Sequence, residues 1–222
     1  MKSYFRNIPD FKYISRLPNS KLNDYITVKN IFKRGKLREV IINEIAYFTK
    51  YQIKGNDRPD NVAFEVYGDS NLDWVVLLSN NIVNIQTEWP LPQQDFDAYL
   101  LQKYDTYDNI YNGIHHYETT EVKNNRGTLI VPSGLECNST YPISYFDDRL
   151  EEQISIANIA IPITNYEYEE KKENDKRNIF ILKQNYLNVV VSDMENIMPY
   201  REGSTQYVNE TLKVGDNIKL YS

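Results

Sequence analysis

The sequence predicts an α+β protein with a mainly helical N-terminal half, a small antiparallel β unit, then a charged helix and a helical C-terminal segment. Three observations predict it. Val62, Ala63, Val66 and Tyr67 recur at the spacing of one helix face. After Asn112-Gly113 the chain changes to short segments rich in β-branched and aromatic residues, punctuated by turn residues. From Glu167 to Arg177, five acidic and four basic residues lie within a helical turn of one another. The expected organisation is an arm plus helical region over 1–112, the β unit over 113–163, and the charged helix with the C-terminal segment over 164–222, or all three as one structural unit.

The elements follow in chain order. Residues 1–22 hold Pro9, Pro18 and the aromatics Tyr4, Phe5, Phe11 and Tyr13, which reads as an extended arm rather than a regular element. Lys29, Lys33, Arg34, Lys36 and Arg38 then fall on a short helical segment, either a solvated face or a contact for an acidic partner. Phe48 to Lys54 alternates apolar and polar residues, the period of a strand. Gly55-Asn56-Asp57 turns the chain, Pro59 fits a first helical turn, and Gly68 ends that helix. Asp69, Ser70 and Asn71 cap a second helix, whose apolar side is Leu72, Val75, Val76, Leu77 and Leu78, with Trp74 close by. Trp89-Pro90-Leu91-Pro92 breaks the chain, and Phe96, Tyr99 and Leu100 set the helix from Gln93 to Tyr104. The β unit comprises segments around Tyr117, Thr128–Val131, Tyr145 and Ile154–Ile163. Ile179–Leu182 reads as a short buried strand or helix end, Tyr186–Met198 as a final helix, and Gly203–Ser222 as a tail.

Composition narrows the function. The 222 residues carry 25 Lys+Arg against 31 Asp+Glu, so an acidic chain lacks the clustered positive charge of a general nucleic-acid grip. Hydrophobic residues at 41% and charged residues at 25% exclude a disordered tail protein. The one cysteine, Cys137, excludes an internal disulfide and a multi-cysteine zinc site. No stretch approaches the roughly 20 apolar residues of a membrane span, and Met1 to Arg6 has no apolar run of signal-peptide length. The expectation is a soluble, intracellularly made protein with neither nucleic acid nor membrane as partner. Nineteen Tyr against eight Gly stand out. A ring with a polar tip suits an interface that stays soluble before assembly, and it also suits the edge of a core.

Catalytic signatures are not found. The glycines are scattered, with no phosphate loop, nucleophile elbow or zinc helix. His115 and His116 are strand neighbours expected on opposite faces, which disfavours one shared metal. Cys137 reads as a small core residue. Asp69-Ser70-Asn71-Leu72-Asp73 opens like a calcium loop but has Trp74 and Asn80 where glycine and glutamate are needed. Asp147, Asp148, Glu151 and Glu152 form an acidic cluster that reads as solvated, with paired acids for glycoside hydrolysis as the sharper alternative. No residue is assigned to catalysis, a cofactor or a metal.

Residues 51–80, YQIKGNDRPDNVAFEVYGDSNLDWVVLLSN, resemble the signature of the baseplate wedge protein 53 family of T-even-like contractile-tailed phages. Tyr51, Ile53-Lys54-Gly55, Arg58-Pro59, Ala63, Tyr67-Gly68, Leu72, Trp74-Val75 and Leu77-Leu78 carry it, without gaps. The continuation to Tyr104 is similar to cyanophage-type members. A second, weaker match runs from Tyr166-Glu167 to Arg177 and from Asp193-Met194 to Ile197-Met198; residues 113–163 depart most. The resemblance implies a structural subunit of the virion tail, made in the host cytoplasm. It would join wedge proteins and neighbouring wedges in the inner baseplate, reach hub and sheath-proximal proteins, and be present in six copies, with no activity or cofactor. Within the motif, Gly55, Pro59, Gly68 and Trp74 are expected to shape the unit, and Tyr51 and Arg58 to face a partner. Tyr4, Phe5 and Tyr13 are the arm's candidate contacts, the arm being adaptable and dispensable for folding. The alternatives are a tail-associated cell-wall hydrolase and a receptor- or carbohydrate-binding tail module built on the β unit.

Overall fold

A computed structural model describes residues 3–21 and 24–215. Residues 1, 2 and 22 of the expected arm, and 216–222 of the expected tail, lie outside the described residues. Packing groups the chain into two compact units, one made of residues up to Trp89 together with those from Asn178 onward, the other running from Pro90 to Arg177. The boundaries expected near 112 and 163 fall between elements of the second unit.

The first unit is organised by an antiparallel ladder between Phe48–Gln52 and Asn178–Leu182, in register from Asn178 with Gln52 to Leu182 with Phe48. Helices Pro59–Tyr67 and Asp73–Ser79 follow the first of these strands, and helix Gln184–Ile197 follows the second. Leu187, Val190 and Met194 form the buried stripe of that last helix. They share one core with Ile53, Val62, Ala63, Leu72, Trp74, Val75, Val76, Ile179 and Ile181. The chain at Gly35 runs so close to Met194 that a Cβ would overlap its side chain.

Three expectations are corrected in this unit. The arm is not irregular. After a single turn over Tyr4–Asn7, Asp10–Ile14 is an interior strand, antiparallel to Tyr25–Lys29 and parallel to Leu212–Val214. The tail supplies two strands of that same sheet, whose order is Tyr207–Asn209, Leu212–Val214, Asp10–Ile14, Tyr25–Lys29. Phe11 and Tyr13 alternate with Asp10 and Lys12, a period-two signal that Pro9 obscured. Proline precedes this strand, where its missing N–H costs nothing, and its carbonyl accepts from Asn30 N–H at 3.0 Å. The basic run is not a helix either. Only Glu39–Ile42 is helical, and the cations serve as internal ties. Lys29 pairs with Asp10 at 2.8 Å, Lys33 Nζ donates to the Pro199 carbonyl at 2.7 Å, and Arg38 pairs with the buried Asp193.

In the second unit, helices Gln93–Tyr104, Tyr107–Tyr111 and Asn165–Lys176 accompany three small sheets. Phe96, Leu100 and Ile110 are its buried cluster, with Tyr166 packed against them. Ile114–Thr119 lies between Ala160–Thr164 and Glu136–Cys137. Val122–Lys123 pairs with Leu129–Val131, and Ile143–Asp147 with Glu152–Ile156. The charged helix starts with a reciprocal cap: Glu167 N–H donates to Thr164 Oγ1 and Thr164 N–H to the Glu167 carboxylate. It is not solvated all round. Glu169 is 3% exposed and accepts from Lys103 Nζ at 2.5 Å and Tyr104 Oη at 3.0 Å. Burial alone would raise its carboxyl; the bonds from Lys103 and Tyr104 outweigh burial and hold it below the usual range.

Two substitutions test this packing. Glu169→Gln removes charge-assisted bonds worth about 1.5–3 kcal/mol. The folded value of Glu169 lies below its ordinary 4.5, so its stabilising contribution is present above that pH and lost as pH falls through the folded value. Urea melts from pH 7 to pH 3 should show the variant less stable at pH 7 and the gap closing in acid. Gly68 ends its helix at φ 74° with open space around it, so Gly68→Ala should cost about 1–2 kcal/mol of backbone strain alone, read as a lower urea midpoint.

Candidate interaction surface

The 51–80 motif folds as the sequence indicates. Gly55 takes φ 50° in the turn, with Asp57 N–H donating to the Lys54 carbonyl at 3.0 Å. Pro59 opens the first helix. Asp69 accepts from Asn71 N–H, but it caps a 3-10 turn over Ser70–Leu72 and not helix Asp73–Ser79 itself, whose N-cap position is Leu72 without a side-chain cap. Tyr67 Oη donates to the Leu182 carbonyl at 2.9 Å, fastening the first helix to the ladder. Trp89 Nε1 donates to the Asp57 carbonyl at 2.9 Å and closes the turn from the other side.

Trp74 is buried, and its Nε1 and Asp193 Oδ2 are buried polar atoms without a hydrogen-bond partner among the described residues. Beside Trp74 opens a groove of about 520 Å³. Tyr4 packs on Trp74 with ring centroids 6.2 Å apart, and its Oη accepts from Gly35 N–H at 3.1 Å. Phe5 sits edge-on to Tyr4 at 5.9 Å and is largely exposed. Ile31, Val83 and Ile85 complete an apolar lip, Ile31 at 69% and Val83 at 66% exposure. Phe32, the next residue after Ile31, is 94% exposed. Arg34 and Asp73 are the charged residues of the lining. The loop before the lip is held by Glu88, whose carboxylate accepts from Val83 N–H at 2.6 Å and Asn84 N–H at 2.9 Å. These bonds hold the Glu88 carboxyl below its ordinary range.

The expected contact residues divide. Tyr4 and Phe5 line the groove, beside the motif residue Trp74; Tyr51, Arg58 and Tyr13 are not in its lining. Tyr51 Oη donates to Glu65 at 2.7 Å, and Lys54 Nζ reaches the other Glu65 oxygen at 2.9 Å. Partial burial and then the Glu65 bond push the Tyr51 phenol upward. Arg58 stays on the surface, paired with Asp60 at 3.2 Å. Tyr13 lies on its strand with Arg16 over the ring at 5.7 Å. Sequence reading missed Ile31, Phe32, Val83 and Ile85. The available signal was two adjacent apolar residues inside a basic run and two more in a polar segment, with no periodicity to bury them. Asp147 is buried, and its oxygens accept from the N–H groups of Asn125, Arg149 and Leu150, a turn-closing use of the carboxylate.

A family model described as base plate wedge protein 53 matches residues 4–197. The chain belongs to that family. It is a structural component of the phage baseplate and hence of the virion tail. No curated protein matches the sequence. The family match runs through both units and stops at the last residue of helix Gln184–Ile197, so strands Tyr207–Asn209 and Leu212–Val214 lie outside it. No helix among the described residues is long and apolar enough to cross a membrane.

The lip residues contribute little to folding because they are exposed. Ile31→Asp and Val83→Asp should each change unfolding free energy by about 0.5 kcal/mol or less. The same variants should lower the fluorescence of a hydrophobic dye bound by the native protein, measured by titration at fixed protein concentration.

Proposed function

We propose that this protein is a non-enzymatic subunit of the inner baseplate, made in the host cytoplasm. It joins wedge proteins within a wedge, and neighbouring wedges to one another, around the hub, in six copies per baseplate. The observation that carries this reading is the wedge-family match across 4–197. The groove beside Trp74 supports it with a contact surface. An exposed aromatic and aliphatic lip, with Arg34 and Asp73 as its charges, suits an apolar segment of a neighbouring baseplate protein.

The expectation of an adaptable arm that folding can do without changes accordingly. Asp10–Ile14 is an interior strand of a four-stranded sheet, so its loss exposes the edges of strands Tyr25–Lys29 and Leu212–Val214. The contact role rests on exposed side chains rather than on a movable segment.

Quantifying peptides of purified virions against the major tail proteins should give six copies per particle; absence from the particle overturns the baseplate assignment. Wedge assembly with Phe5→Asp or Ile31→Asp protein should yield at least tenfold fewer joined wedges, at unchanged thermal stability. Normal ring yield with both variants would remove the groove from the joining surface.

A further inference from the structure

The two histidines lie together, contrary to the expectation from strand alternation. Ile114–Thr119 pairs with Ala160–Thr164 through His116 with Ile163 and then Ile114 with Thr164, so His115 is skipped at a register shift. An extra residue in one strand re-aims its side chain. The result is His115 Nδ1 at 3.0 Å from His116 Nδ1, with the rings nearly perpendicular.

Each ring is held. His116 Nε2 lies 3.1 Å from Glu118 Oε1. The same Glu118 oxygen accepts from Lys171 Nζ at 3.3 Å. An ionised carboxylate only accepts, so His116 Nε2 carries the hydrogen and the neutral ring presents a lone pair at Nδ1. His115 stacks on Tyr168 at 3.7 Å and 14°, and Lys172 stands over the Tyr168 ring at 5.0 Å. His115 is exposed, which leaves an entry path from solvent.

We propose that His115 and His116 chelate a late first-row divalent cation through their two Nδ1 atoms. Two nitrogens 3.0 Å apart, each about 2.0–2.1 Å from an ion, subtend roughly 90° at it. That angle fits adjacent positions of a square-planar or octahedral ion, the geometry of Cu²⁺ and Ni²⁺, rather than the wider tetrahedral angle of zinc. Among the described residues no group of three or more His, Cys, Asp or Glu side chains is placed to hold a metal, so water completes the coordination. Glu118 serves as the outer carboxylate that orients a ligating imidazole. Coordination needs both Nδ1 lone pairs, so a neutral His115 carries its hydrogen on Nε2 in the bound form, and acid competes with the cation for the same nitrogens.

The test is calorimetric titration of the full chain, without a polyhistidine tag, with NiCl₂ at pH 7.5 and pH 5.5. One Ni²⁺ per chain is expected at pH 7.5, with binding weakened at least tenfold at pH 5.5. His115→Ala and His116→Ala should each weaken it at least tenfold, and Glu118→Gln by about 10–100-fold. Spectra of the unsubstituted protein with ¹⁵N-labelled histidine keep the test independent of how the variants fold: Ni²⁺ should broaden both rings' signals together. No saturable binding, binding that survives either histidine substitution in a folded variant, or broadening of one ring alone would overturn the site.

Discussion

The ladder between Phe48–Gln52 and Asn178–Leu182 is the constraint on which the first unit depends. It brings the wedge-signature motif against the final helix and sets Ile179, Ile181 and Leu182 into the core that holds Val62, Trp74 and Val76. A two-stranded ladder is weak alone, and here side chains complete it. Asn80 works as a substitute strand: its Nδ2 donates to the Phe180 carbonyl at 2.8 Å and its Oδ1 accepts from Phe180 N–H at 2.7 Å. Tyr67 bonds the carbonyl of Leu182, and Lys183 N–H donates to the Tyr47 carbonyl at 2.9 Å, extending the pairing by one step.

The same economy runs through the polar groups. Among the described residues seven tyrosine hydroxyls, on Tyr4, Tyr51, Tyr67, Tyr99, Tyr104, Tyr166 and Tyr200, are tied to protein groups, as befits rings at the margins of two cores. Lys29, Lys33 and Arg38 are likewise occupied with carbonyls or carboxylates of the first unit. The groove beside Trp74 differs because its exposed surface is apolar and sits on well-anchored elements. A contact built on fixed elements loses little conformational freedom when a neighbour docks.

Local signals were legible in the sequence; pairings between distant segments were not. The strand at Phe48, the turn at Gly55, Pro59 at a helix start and Gly68 at its end all act within a few residues, and each is found where the pattern puts it; the Asp69 cap serves a 3-10 turn just before the helix it was expected to start. Asp10–Ile14 and Leu212–Val214 are short strands whose stability comes from each other, some two hundred positions apart, and neither carries a strong signal alone. Glu169 looked like one more charge on a mixed-sign helix because nothing in its own neighbourhood announces Lys103 and Tyr104. Of the site, Tyr4, Phe5 and Trp74 were within reach as aromatics in a recognisable context. Ile31, Val83 and Ile85 were not, because exposure is decided by what fails to cover a residue. The histidine pair defeated strand alternation through a single skipped residue.

The ladder also has a bearing on how the chain comes off the ribosome. Asn178 is made 126 positions after its partner Gln52. At roughly 5–20 residues per second, the earlier strand waits about 6–25 s for it. The whole of Pro90–Arg177 emerges in that interval and can close its own helices and sheets first. Meanwhile the apolar faces of Pro59–Tyr67 and Asp73–Ser79 have no roof, since Ile179, Leu187 and Val190 do not yet exist. The nascent chain therefore presents these apolar faces to solvent from the time Ser79 is made until strand Asn178–Leu182 and helix Gln184–Ile197 follow.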